Sequence, residues 1–164
     1  MAAKIRTGVV LVGGVGLRMQ QLTIDTPKAM IKLHGKPILY WTLNWLKKYG
    51  FKHVVLGVAY RKEVIIDYIK NESFGLDIDF SVHTVEGETG EGFRLAIERY
   101  VHDENFLAMN GDELTNLNLN KLVNFHLEHR PIATMVVSPM RSPYGIVEVL
   151  GNDVVGFKEK PVLE

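Results

Sequence analysis

Two rhythms of apolar and polar positions take turns along this chain. Val9, Val10, Leu11 and Val12 run together without a polar break, so residues 7–12 read as a strand buried on both faces. Leu39, Leu43, Leu46 and Tyr49 then recur at i, i+4, i+7 and i+10. That spacing predicts a helix over residues 37–49, with Pro37 in its first turn and Gly50 as its stop. The exchange continues with a strand over 52–58 and a helix over 62–71 that turns Ile65, Ile66 and Ile69 inward. A half-buried strand over 77–83, a helix over 91–100 and a short strand over 105–109 come next. A helix over 118–129 follows, with Leu119, Leu122, Phe125 and Leu127 as its apolar positions, and then a strand over 132–137. The chain ends in an expected hairpin of 145–150 and 154–158 around Gly151, Asn152 and Asp153. Strand and helix in alternation imply an α/β fold, a mostly parallel (mixed) sheet between two layers of helices.

In such a sheet ligands bind beyond the carboxyl ends of the strands, and three unusual spots fall there. The first is Gly13-Gly14-Val15-Gly16, followed on the same excursion by Arg18 and Lys28. A buried strand, a glycine turn and a helix start bring backbone N–H groups up to phosphate. The glycines alone are a weak signal. Met19 stands where a dinucleotide fingerprint has its third glycine, and the P-loop ending is missing. The second spot is Gly87-Glu88-Thr89-Gly90-Glu91-Gly92, which opens a helix and reads equally as a ligand loop or a plain flexible one. The third is Asn110-Gly111-Asp112, a carboxylate at a strand end. Oxygen ligands of that kind suit Mg²⁺, although an Asn-Gly turn with a solvent-facing aspartate has the same spelling.

Composition narrows the class. At 164 residues, one domain over 1–164 is the default, and 46% hydrophobic with 23% charged residues describes an ordinary globular protein. Nineteen basic residues balance nineteen acidic ones, so no global field recruits nucleic acid or membrane. Cysteine is absent, which removes disulfides and thiolate metal sites. No apolar run is long enough to span a bilayer and no leader pattern opens the chain, so a cytoplasmic protein is expected. The six histidines have no metal spacing, and His126 and His129 read as solvated. Trp41 and Trp45 read as packing residues, and Arg61-Lys62 as surface.

GGVGLRM with the downstream TPKAM and GKPIL resembles the signature loop of the sugar-1-phosphate nucleotidyltransferases, whose pattern is GGxGTR(L/M), PLT, PKP and GKPI. The chain departs from it at Val12, Leu17, Gln21 and Ala29, while Arg18, Lys28 and the three glycines match. NGD at 110–112, YGIVE at 144–148 and FKEKP at 157–161 extend the resemblance over nearly the whole chain. It implies a Rossmann-like three-layer fold and transfer of an NMP group from an NTP to a sugar 1-phosphate, giving an NDP-sugar and pyrophosphate. It further implies nucleotide contacts at Val12, Gly13, Gly14, Gly16, Glu88 and Gly92, with Arg18 and Lys28 on the phosphates and Asp112 on Mg²⁺. Gly145, Glu159 and Lys160 would take the sugar phosphate. GFRLA at 92–96 is similar to the GGRL of glucose-1-phosphate cytidylyltransferases, which leaves the base open, as are the sugar and any homo-oligomer. The resemblance also implies a second metal-holding aspartate after the EKP strand, where only Val162, Leu163 and Glu164 follow. The expectation is therefore a domain lacking the family's C-terminal segment, able to bind nucleotide but slow to turn it over. A cytidylyltransferase for a non-sugar phosphate and a non-catalytic nucleotide-sensing module are the other readings.

Overall fold

The first apolar run becomes strand β1 (Thr7–Leu11), an inner strand of a parallel sheet. The computed structural model describes residues 5–85 and 89–163; the side chains of Leu17, Arg18 and Gln20 also lie outside that description. After β1 the chain makes a long excursion with two 3₁₀ turns, Leu17–Leu22 and Lys28–Met30. A small antiparallel pair, β2 (Lys32–Leu33) and β3 (Lys36–Pro37), returns it to helix α1 (Ile38–Lys48). Strand β4 (His53–Val58), helix α2 (Lys62–Asn71), strand β5 (Asp77–Val82), helix α3 (Thr89–Tyr100), strand β6 (Leu107–Asn110) and helix α4 (Leu119–His129) follow. The sheet order is β5-β4-β1-β6 and every pairing is parallel, with Val10 opposite both Leu56 and Met109.

Side chains alternate across this sheet with the strand period of two, and each face has its own core. Val10, Val54 and Leu56 pack with Leu39, Leu43 and Leu46 of α1, Ile65 of α2 and Leu119 of α4. Val9 and Val55 face the other way, onto Ala96 with Phe93 and Ile97 of α3. The expected helix–sheet–helix layering is therefore present in the first of two compact units, Met1–Phe125.

Local chemistry explains where the helices stop. Gly50, at φ 85°, lets the end of α1 close with Gly50 N–H donating to the Lys47 carbonyl (2.9 Å) and Phe51 N–H to the Leu46 carbonyl (3.2 Å). That reversal drops Phe51 into the core just ahead of β4. At the start of α4 the Asn118 side-chain oxygen accepts from the N–H groups of Asn120 and Lys121, satisfying two donors the helix leaves open.

The second unit, His126–Glu164, holds β7 (Met140–Arg141), β8 (Ile146–Leu150), β9 (Asp153–Lys158) and β10 (Val162–Leu163). β8 and β9 form the expected hairpin, turning at Gly151 (φ 62°) and Asn152. The strand expected over 132–137 does not form, and Ile132 and Val137 are 106% and 82% exposed. An apolar run spells a strand only if a neighbouring ladder receives its backbone groups, and none does so among the described residues. His126, read as solvated, instead shares a hydrogen bond between Nδ1 and Thr134 Oγ1 (2.9 Å), and His129 is engaged as well.

Candidate functional site

A cleft of about 430 Å³ opens beyond the carboxyl ends of β1, β5 and β6. Val12, Gly13, Gly14, Lys28 and Asp112 line it, so five of the residues singled out in the sequence, from three separate stretches, come together. Among the described residues no acceptor faces the N–H groups of Gly14, Val15 or Gly16, leaving backbone donors available to a ligand. Gly13 is glycine for want of room: a Cβ there would lie 2.9 Å from Ala59 N and Cβ and from His83 Cε1. Gly16 sits just behind, at φ 70°, where a Cβ would meet Thr23 Cγ2 at 2.9 Å and Lys28 Cβ at 3.2 Å.

Lys28 and Asp112 are the charged centre of this cleft. Lys28 Nζ donates to Asp112 Oδ2 at 2.5 Å, and the two side chains are 29% and 32% exposed. Residues 84 positions apart meet because the excursion after β1 ends beside the exit of β6. Gly111 makes that exit tight. Its N–H donates to the Leu11 carbonyl (2.8 Å), and a Cβ would run into Val10 Cγ1 at 2.8 Å.

Gly92, expected to contact the nucleotide, has its place in α3. It is buried in the first turn of α3, with Leu11 and His83 Nε2 each 3.4 Å from where its Cβ would be. Glu88 lies outside the described residues. So does the Arg18 side chain, whose backbone rides in the Leu17–Leu22 turn.

His83, Thr89, Asn110 and Glu113 also line the cleft and were not assigned to it from sequence. Asn110 opens the Asn110-Gly111-Asp112 spot already noticed, and Glu113 follows it. His83 was visible as the residue closing a strand at its carboxyl end, the same signal that pointed to the glycine loop. The carbonyl of Thr84 accepts from His83 Nδ1 (3.0 Å), and the other ring nitrogen, Nε2, is buried with no partner among the described residues.

In the second unit, Gly145 lies against the Phe157 ring and beside Glu159, which neighbours Lys160. A Cβ on Gly145 would meet Phe157 Cε2 at 2.7 Å and Glu159 Oε2 at 3.3 Å. Lys160, held at φ 41°, keeps its Nζ 3.9 Å from Glu159 Oε1, and both side chains are more than half exposed. A carboxylate and an ammonium side by side suit a polyol that carries a phosphate.

The nucleotidyl transferase family model matches residues 7–164. D-glycero-α-D-manno-heptose 1-phosphate guanylyltransferase of Aneurinibacillus thermoaerophilus is 32% identical over 154 residues, which is 93% of this chain and 66% of that protein. Mannose-1-phosphate guanyltransferase of Yarrowia lipolytica is 35% identical over 162 residues, 94% of this chain and 45% of that protein. This chain thus spans between about half and two thirds of the length of these curated relatives. The crystal structure of HddC from Yersinia pseudotuberculosis complexed with GMP-PN superposes with a TM-score of 0.68 at 24% identity, over 96% of this chain and 70% of that one, a likeness of fold.

Proposed function

Because the chain belongs to the nucleotidyl transferase family, we propose that it transfers an NMP group from an NTP to a sugar 1-phosphate, giving an NDP-sugar and pyrophosphate. A phosphate oxygen of the sugar phosphate attacks the α-phosphorus, the bond to the bridging α–β oxygen breaks, and pyrophosphate leaves with that electron pair. No protein nucleophile is needed, so the chain's task is positioning and charge stabilisation. The observation that carries this reading is the convergence of Lys28 and Asp112 with the open N–H groups of the glycine loop in one cleft. The names of the relatives support GTP as the nucleotide and a manno-configured sugar 1-phosphate as the acceptor.

In this scheme Gly13, Gly14 and Gly16 offer backbone to the nucleotide, and the Lys28 ammonium bridges its phosphates as a point charge. Arg18 holds the departing pyrophosphate through its planar fork. Gly145, Glu159 and Lys160 take the sugar phosphate. Asp112 would hold a divalent cation, with Asn110 and Glu113 as further oxygen donors lining the same cleft. This donor set fits Mg²⁺, which keeps to one or two carboxylates and completes its shell with phosphate oxygens and water. When bound, the ion would neutralise charge on the α-phosphate. Substrates of this kind favour the cytoplasm.

Pyrophosphate release tests the reading, measured with GTP and mannose 1-phosphate or the manno-heptose 1-phosphate, and then with the other NTPs. Release that needs both substrates is expected. Saturable GTP binding with no release from any pair would leave a nucleotide-sensing module, and absence of nucleotide binding would remove both readings.

A further inference from the structure

The part of the excursion from Gly13 to Asp25, which carries Arg18 and leads into Lys28, is tied at both ends to a single turn, residues 59–61, between β4 and α2. At the near end, the Tyr60 N–H donates to the Gly13 carbonyl (3.3 Å), and Gly13 packs so closely on Ala59 that a Cβ would not fit. At the far end, the Tyr60 hydroxyl donates to the Ile24 carbonyl at 2.6 Å, with the Thr23 carbonyl 3.4 Å away. Arg61 completes the hold, donating from Nη2 to Asp25 Oδ1 at 2.5 Å and from Nε to the Tyr60 oxygen at 3.3 Å. Thr23 then closes the loop on itself by donating from Oγ1 to the Gly16 carbonyl at 3.0 Å.

The turn is costly in its own backbone. Arg61 sits at φ 46°, ψ 42°, in the left-handed region that a residue with a Cβ rarely adopts. Such an outlier persists where the surroundings over-determine it, and here the guanidinium bonds to Asp25 and the Tyr60 oxygen help to do so. The Tyr60 oxygen first, and the Asp25 carboxylate after it, raise the Arg61 pKa above its ordinary value, so this side chain stays charged throughout.

We propose that Tyr60 and Arg61 are positioning residues for the nucleotide's phosphates: the 59–61 turn is a latch that fixes where Gly14, Gly16 and Lys28 stand before the ligand arrives. The inference rests on reading the cleft as a nucleoside triphosphate site. A preorganised loop binds without first losing its own freedom, and the latch supplies that order from outside the cleft. Neither residue lines the cleft, so their effect reaches the phosphates only through the loop.

The test uses Tyr60→Phe, Arg61→Ala and the double exchange Asp25→Arg with Arg61→Asp, in the full chain. Amide hydrogen exchange is read over residues 14–27 without ligand, and GTP affinity, the KM for sugar 1-phosphate and the thermal midpoint are read beside it. Tyr60→Phe and Arg61→Ala should each speed exchange in that segment and weaken GTP by about tenfold, the worth of one such hydrogen bond. The sugar-phosphate KM and the midpoint should hold, and the double exchange should recover much of what Arg61→Ala loses. Unchanged exchange and GTP affinity in both single variants would overturn the latch. So would a fall in midpoint that tracks the loss of binding, because the turn would then be a general support. If the unsubstituted chain binds no nucleotide, the reading of the cleft fails, while the exchange rates still decide whether the turn orders the loop.

Discussion

Lys28 illustrates how one side chain answers to two partners. In the free protein its ammonium is held by Asp112 at 2.5 Å, and only 29% of the side chain is exposed, so it is not the solvated cation a surface lysine would be. A nucleotide's phosphates would compete for the same charge. Lys28→Ala should therefore lower pyrophosphate release by about 10²–10³, the usual cost of losing one preorganised donor. Stability should change little, by about 1 kcal/mol or less, because solvent reaches the Asp112 carboxylate left behind. Single-turnover kinetics and urea unfolding check the two halves. A large loss of stability with unchanged release would make the pair structural.

At the scale of elements, the alternation of rhythms announced each described strand of the main sheet and each described α-helix, because each buries one stripe or both faces against its neighbours. The same logic misread 132–137, whose apolar residues carry no information about whether a partner strand exists. Lys28 and Asp112 were legible as separate motifs, but their contact was not, since no spacing rule joins residues 84 apart. The latch was invisible for a related reason: Arg61 looks like any surface cation until Asp25 is brought beside it. Helix α2 carries a feature no pattern reveals. The Tyr68 hydroxyl is buried without a hydrogen-bond partner among the described residues, next to Phe74. Burial first, with Glu72 and Tyr40 adding to it, raises its pKa above the ordinary 10.0. The neutral phenol is thus favoured in the fold, and stability falls as pH rises past the unfolded value, because the unfolded chain ionises first. Tyr68→Phe removes both burdens. Denaturation at pH 7 should show a gain of about 1 kcal/mol, since an unpaired buried hydroxyl typically costs that much or more. The alkaline decline should also become shallower. A loss of stability would mean that the hydroxyl has a partner in solution.

For the molecule as a whole, the charge pair in the cleft would couple the two ligands of the proposed reaction. Lys28, 2.5 Å from Asp112 Oδ2, would compete with a cation for that carboxylate, and Lys28 would be released most readily when phosphate oxygens replace the carboxylate. Metal and nucleotide should then bind together better than either binds alone, a positive coupling that is reciprocal by linkage. Thermal unfolding reads this directly. Mg²⁺ alone should leave the midpoint almost unmoved. GTP with Mg²⁺ at about one hundred times its Kd should add about 2.7 kcal/mol. For a chain of 164 residues that is a rise of about 5–10 °C. Chelation should remove the metal-dependent share, and Asp112→Asn should remove the same share without chelator. A rise with Mg²⁺ alone as large as with the pair would show that Lys28 does not guard the carboxylate. A rise with GTP that ignores both chelator and Asp112→Asn would take the cation away from this residue altogether.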